Sequence, residues 1–158
     1  MTDPDLAILI TAANRCVADR LGGAVATTAG GDAMRSSFGF VLRAVAAEEP
    51  TVSRLAELLG VSKQGASRLA DEMVSRGYLE RTVDPIDRRR IHLRLSTVGE
   101  RIRARALAES HAIEDELRER FGDAQVRHLR ALLTDFVERH GGREELAAQR
   151  SRAPGEPA

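Results

Sequence analysis

Apolar residues along this chain keep two different rhythms, and the change between them marks out its elements. Through residues 51–76 they recur every three or four positions, the spacing of one helix face. Leu55, Ala56, Leu58 and Leu59 form a first group, and Ala66, Leu69, Ala70 and Met73 a second. Thr51, just after Pro50, is placed to cap the first helix. Gly60 is placed to end it, because glycine takes the left-handed conformation there without steric cost. Ser62 then caps a second helix, predicted over about residues 63–76 and stopped by Gly77. So short a turn, carrying a glycine, predicts a helix-turn-helix. The small residues Ala56, Gly60 and Ala66 let the two helices cross closely.

The rhythm then shifts to period two. Ile91, Leu93 and Leu95 alternate with Arg90, His92 and Arg94, which predicts a β-hairpin with strands near 78–83 and 89–95. Its loop reads DPIDRRR, with Asp-Pro to turn the chain and three consecutive arginines at the end.

The flanks return to helical spacing. A helix is predicted over 4–21, with Leu6, Leu9 or Ile10, Ala13 and Val17 as its stripe. Gly22-Gly23 and Gly30-Gly31 punctuate the next stretch, with a weak helical continuation through AVATTA between them. Ser36 or Ser37 is expected to cap a helix that buries Phe40, Val41, Leu42 and Val45 before Glu49-Pro50. Beyond the hairpin, Thr97 and Glu100 have the spacing of a capping box. They would open a long helix to about residue 120, striped by Ile102, Ala106, Ile113 and Leu117. Phe121-Gly122 breaks it. Asp123 is expected to cap a last helix, with Val126, Leu129, Leu133, Phe136 and Val137 on one side and Gly141-Gly142 at its end.

These readings give a mainly α fold with a small β-hairpin wing: a winged helix-turn-helix with N- and C-terminal dimerisation helices. The expected divisions are 1–35 for the N-terminal helix and linker, 36–96 for the winged lobe, 97–140 for the C-terminal helices, and 141–158 for a disordered tail. The terminal helices carry apolar stripes that a small winged lobe cannot cover by itself. Apolar surface left in water costs about 25 cal/mol per Å², so a second copy of the chain is the expected cover. Two recognition helices would then sit about one DNA turn apart, roughly 34 Å, and select a pseudo-palindrome.

Charge sharpens this picture. The 158-residue chain is formally neutral, but its charges are unevenly placed. Residues 61–105 carry eleven basic and six acidic groups, a net of +5, while both flanks are acidic. The positive segment is the predicted reading head, which is the footprint of phosphate contact. Lys63 is the only lysine; the other cations are arginines, whose planar fork suits bidentate contact with phosphate or guanine. In the first turns of the second helix, Lys63, Gln64, Gly65, Ser67 and Arg68 point away from the apolar face. A recognition helix enters the major groove by this end. Arg88, Arg89 and Arg90 suit a narrow minor groove or flanking phosphates, and Asp87 is placed to restrain one of them.

This stretch resembles the MarR family of bacterial transcriptional regulators. The matching features are LAELLGVSKQGASRLADEMVSRGYLER, the Asp87-Arg88-Arg89 wing motif, and LSTVG leading into a long helix, where Ser96 stands for the usual threonine, a conservative change for a helix cap. The resemblance is close over 37–105 and looser in the flanking helices. It implies that Ser62, Lys63, Gln64, Ser67 and Arg68 face the major groove and that Arg89 enters the minor groove. It also implies interlocking terminal helices in a two-fold dimer, and release from DNA by a small aromatic or phenolic effector. Gln64 and Gly65 depart from the Ser-Thr pair often found there, so the base preference is this chain's own.

The expected function is therefore a homodimeric, sequence-specific DNA-binding regulator of the repressor type. Alternatives are a redox-responsive regulator acting through Cys16, the chain's single cysteine, or a winged-helix protein-interaction module. Cys16 lies beside an apolar stripe, where packing is the simpler role. No enzyme constellation stands out, and no cofactor is expected. His111 and Glu114 make half of a carboxylate metal site, without a second Glu-x-x-His to complete it. No apolar run approaches the roughly 20 residues of a membrane span, and the acidic N-terminus lacks a basic leader, so a cytoplasmic location is expected.

Overall fold

The computed structural model describes residues 3–26 and 36–140. In chain order these form α1 (Leu6–Ala26), α2 (Ser36–Glu48), α3 (Val52–Leu59), α4 (Lys63–Ser75), β1 (Leu79–Val83), β2 (Ile91–Leu95), α5 (Thr97–Phe121) and α6 (Asp123–Arg139). The mainly helical chain with one antiparallel hairpin is the expected winged helix-turn-helix.

Local rules account for the helix-turn-helix. Thr51 Oγ1 accepts the Arg54 N–H at 3.3 Å, and Gly60 closes α3 in the left-handed region at φ 61°. Ser62 then opens α4. Leu55 and Ala56 of α3 meet Ala66, Ala70 and Met73 of α4 in the interior. Behind them α2 contributes Phe38, Val41, Leu42 and Val45, at helical spacing. Each large side chain buried this way contributes roughly 1.5–3 kcal/mol.

The hairpin grows out of this core. Leu79 pairs with Leu95, Arg81 with Leu93 and Val83 with Ile91. Leu79, Leu93 and Leu95 are buried, whereas Val83 and Ile91 are exposed, so the hairpin leaves the core as it approaches its tip. A backbone bond from Leu93 N–H to the Pro50 carbonyl, 2.9 Å, and a bridge between Thr51 and His92 tie β2 to the start of α3.

One small region joins the helix-turn-helix and hairpin to the long helix α5. The Ser96 N–H donates to the Tyr78 carbonyl at 3.1 Å, and Ser96 Oγ donates to the Gly77 carbonyl at 2.5 Å. The same Oγ accepts the Gly99 N–H at 3.0 Å and so caps α5. A side chain at Gly99 would place its Cβ 2.1 Å from the Tyr78 carbonyl oxygen.

Several expectations are corrected. Gly22 and Gly23 do not interrupt α1, which runs on to Ala26; each has open space around it. In α2 the buried aromatic is Phe38, and Phe40 is 43% exposed, because Phe38 and not Phe40 shares the three-and-four spacing of Val41, Leu42 and Val45. Ser36 and Ser37 are the first two residues of α2. Thr97 does not cap α5: Ser96 does, so Glu100 falls one position beyond a capping box. Asp123 is the first residue of α6 and not its cap; Gly122 precedes it, with no side-chain bond. The strands begin later than expected, at Leu79 and Ile91. Cys16 is exposed on the protomer and not packed within it. The readings placed on Gly30-Gly31, on the end of AVATTA, on Gly141-Gly142 and on the tail lie outside the described residues.

Gly99→Ala is expected to destabilise the fold by about 1–3 kcal/mol, since a rigid backbone oxygen occupies the space the methyl needs. A urea melt checks this; an unchanged midpoint would show that α5 can shift away at no cost.

Candidate nucleic-acid interface

The α4 part of the candidate site is built by its cap. Ser62 is extended at φ −63° and ψ 150°, and its Oγ accepts the Gly65 N–H at 3.1 Å. A Cβ at Gly65 would come 3.3 Å from that Oγ, so glycine leaves room for the cap. With Ala66 buried, the helix turns Ser62, Lys63, Gln64 and Arg68 to the outside, with Gly65 and Ser67 partly exposed. The remaining N–H groups of this turn point outward at the positive end of the helix dipole, an arrangement that favours anions. Lys63 and Arg68 make no ion pair among the described residues.

A second layer orients this face. Ser67 Oγ donates to Asp71 Oδ2 at 3.4 Å, and Asp71 Oδ1 accepts from the Arg81 guanidinium at 2.6 Å. Arg81 belongs to β1, so this pair links α4 to the hairpin. Sequence reading did not single out Asp71 or Arg81, because their pairing depends on how helix and strand cross.

The wing loop is organised by two aspartates. Asp84 Oδ1 accepts the N–H groups of Ile86 and Asp87 at 2.8 and 2.9 Å. These two bonds, aided by His92, hold the Asp84 carboxyl below its ordinary range despite partial burial. Asp87 Oδ1 accepts both the Arg89 N–H, at 3.1 Å, and Arg89 Nε, at 3.2 Å. Arg90 Nε lies 3.6 Å from the other Asp87 oxygen. Asp87 therefore does restrain neighbouring arginines, and it does so while the Arg89 side chain stays 92% exposed. Arg88 is exposed beside it. Ile86, also outside the sequence reading, stands almost fully exposed in the same loop.

At the far side, α1 lies against α5. Arg20 reaches Glu109 at 2.8 Å and Glu116 at 2.6 Å. Glu114 of α5 meets Arg130 of α6. Leu6, Ile8, Leu9, Ile10 and Val17 on α1 are 39–70% exposed, and Leu129, Leu132, Leu133 and Phe136 on α6 are similarly open. No group of three or more potential metal ligands occurs among the described residues, and none of the described helices is long and apolar enough to cross a membrane.

Comparison with known proteins agrees with this geometry. The sequence profile of the MarR family matches residues 40–90. The transcriptional repressor MprA of Escherichia coli strain K12 is 39% identical over 59 residues. That stretch is 37% of this chain, and it spans only 34% of the repressor's own length. Among solved structures, the reduced form of MarR from E. coli superposes with a TM-score of 0.65 at 22% identity, covering 87% of this chain and 99% of that one. CouR from Rhodococcus jostii RHA1, bound to p-coumaroyl-CoA, superposes with a TM-score of 0.60 at 28% identity, covering 84% and 91%.

Ser62→Ala removes the cap and is expected to lower stability by about 0.5–2 kcal/mol. It should also speed amide exchange at Gly65 more than at Met73. Equal change at both positions would mean that the cap does not order this turn locally.

Proposed function

We propose that this chain is a repressor of the MarR family, whose profile matches residues 40–90, and that it binds a pseudo-palindromic operator as a homodimer. The observation that carries this reading is the pairing of an uncovered α4 N-terminus with an arginine-tipped hairpin whose loop is already ordered. Lys63, Gln64, Ser67 and Arg68 supply the contacts to base edges and phosphates in the major groove, with Ser62 and Gly65 at the point of entry. Arg89 enters the adjacent minor groove, flanked by Arg88 and Arg90, and Asp87 limits the freedom that Arg89 loses on binding. The outward face of α4 is polar, which suits nucleic acid better than a protein partner.

A second copy covers the open apolar stripes of α1 and α6. An effector acts in this scheme by preferring a dimer geometry whose two recognition helices no longer match the operator. The CouR complex with p-coumaroyl-CoA points to an aromatic acid or its thioester as the class to screen first. The family and fold are those of regulators, and a location in the cytoplasm follows from this role.

Two expectations test the reading. Affinity for a duplex selected from a random pool should fall steeply with salt, with a slope of roughly −0.9 per phosphate contact. Arg89→Ala should cost roughly 1–3 kcal/mol of that affinity, and Gln64→Ala should change sequence preference more than overall affinity. A salt-independent association, or none in dilute buffer, would end the DNA-binding proposal. Separately, light scattering should give twice the protomer mass, and Leu133→Asp should halve it. A wild-type protomer mass at micromolar concentration would remove the dimer.

A further inference from the structure

His92 sits near the loop end of the hairpin, between two groups that can only accept hydrogen bonds. Its Nδ1 lies 2.7 Å from the Glu49 carbonyl oxygen, and its Nε2 lies 3.0 Å from Asp84 Oδ2. A carbonyl has no proton to give. Asp84 favours the carboxylate, because the two backbone N–H groups on its other oxygen hold its pKa below the ordinary range. Both ring nitrogens must therefore donate, and a neutral imidazole carries only one N–H. Only the imidazolium satisfies the site. Glu49 itself is held at φ 45°, a left-handed conformation that non-glycine residues rarely take. That turn carries the carbonyl which His92 meets.

We propose that His92 is a positioning residue for the wing: as an imidazolium it ties Asp84, and with it the arginine loop, to the α2–α3 junction, and operator affinity falls as the ring loses its proton. The inference rests on the proposal that the wing contacts DNA. Its mechanism is local. Asp84 orders the loop through Ile86 and Asp87, and Asp87 orders Arg89. When the ring is neutral, one nitrogen turns a lone pair towards an acceptor. Either the bond to Asp84 or the bond to Glu49 is lost, and the loop root is released on that side. The Leu93–Pro50 backbone bond remains, so the hairpin stays attached while its tip loosens.

The charged surroundings favour the cation on balance. The Glu49 carbonyl and then Asp84 push the His92 pKa up, against partial burial and the nearby Arg90 charge. On the α2–α3 side, Glu48 is paired with Arg54 at 2.8 Å, and the Glu49 carboxylate is a further negative group. Arg94, two residues along β2, is paired with Glu80, and Thr82 across the hairpin is uncharged. A folded-state pKa raised above its unfolded value of about 6.5 fixes the sign. The clamp is complete below about pH 6.5 and is lost as pH rises through the raised value.

The test has two arms at constant ionic strength. Ring resonances of His92 in the free protein should titrate above the ordinary histidine range, and Asp84→Asn should bring that midpoint down. Affinity of the wild-type chain for the duplex it selects from a random pool should fall about three- to tenfold as pH rises through the same midpoint. His92→Gln should show the weaker affinity at every pH with no such step, and Asp84→Asn should move the step to lower pH. A ring midpoint at or below the ordinary value overturns the clamp. So does a His92→Gln profile that superimposes on the wild type. If the wild-type chain binds no duplex at any pH, the regulator reading fails instead, and the ring titration still decides whether the clamp exists.

Discussion

The backbone junction at Gly77–Tyr78 holds the two halves of the protomer to each other. Four chain segments meet there: the end of α4, the start of β1, the end of β2 and the first turn of α5. Tyr78 N–H bonds to Met73 O at 2.8 Å, just past the end of α4. Tyr78 O accepts from Ser96, and Ser96 Oγ caps α5 while bonding back to Gly77. Gly99 permits this by having no side chain where the Tyr78 oxygen lies. The Tyr78 ring packs edge-on against Phe38 at 6.3 Å, so α2 is drawn into the same knot. The helix-turn-helix and the long helix are thus joined through one backbone bond and the two bonds of the short Ser96 hydroxyl.

Electrostatics does a different kind of work here. Most of the ion pairs are exposed, and exposed pairs stabilise a fold by about 0–1 kcal/mol each. Their value at the candidate site lies in restricting motion. Asp71 holds Arg81 across from α4 to β1, and Asp87 holds Arg89 in a loop that would otherwise sample many conformers. Each aspartate lowers the local positive charge and so weakens long-range attraction to phosphate. Under the proposed role, the gain is that less side-chain entropy remains to be lost on binding a duplex.

Most of the reading head was legible because its rules are local. Thr51, Gly60 and Ser62 act on neighbours three to five residues away, and the alternation of Leu93 and Leu95 names its own buried face. Where expectation failed, distant chain made the choice. Ser96 and Thr97 are adjacent and equally able to cap; the bond to Gly77 selects Ser96. Phe38 and Phe40 are the exception, since they sit in one helix and its own three-and-four spacing separates them. Gly22 and Gly23 looked like a break, but the helix spans them; Arg20 before them and Ala24 after them are held to α5. His92 gave no signal at all, because one of its partners lies 43 residues upstream.

The open stripes of α1 and α6 bear on how the two ends of the molecule communicate. α1 grips α5 through Arg20, and α5 grips the wing root through Ser96 and Gly99. Little that is soft intervenes at the wing root: the Tyr78 carbonyl lies against Gly99 with no space for a methyl group, and the short Ser96 hydroxyl bonds to both Gly77 and Gly99. A rotation of α5 imposed at the terminal helices would therefore carry β1 and β2 with it before the junction could absorb it, since packed interfaces shift between discrete arrangements and do not deform continuously. Glu49 lies on the other side of the hairpin, reached through Pro50 and the ring of His92. The hairpin is consequently held from two directions, rigidly by α5 and conditionally by a titratable side chain. Its angle relative to α4 depends on both.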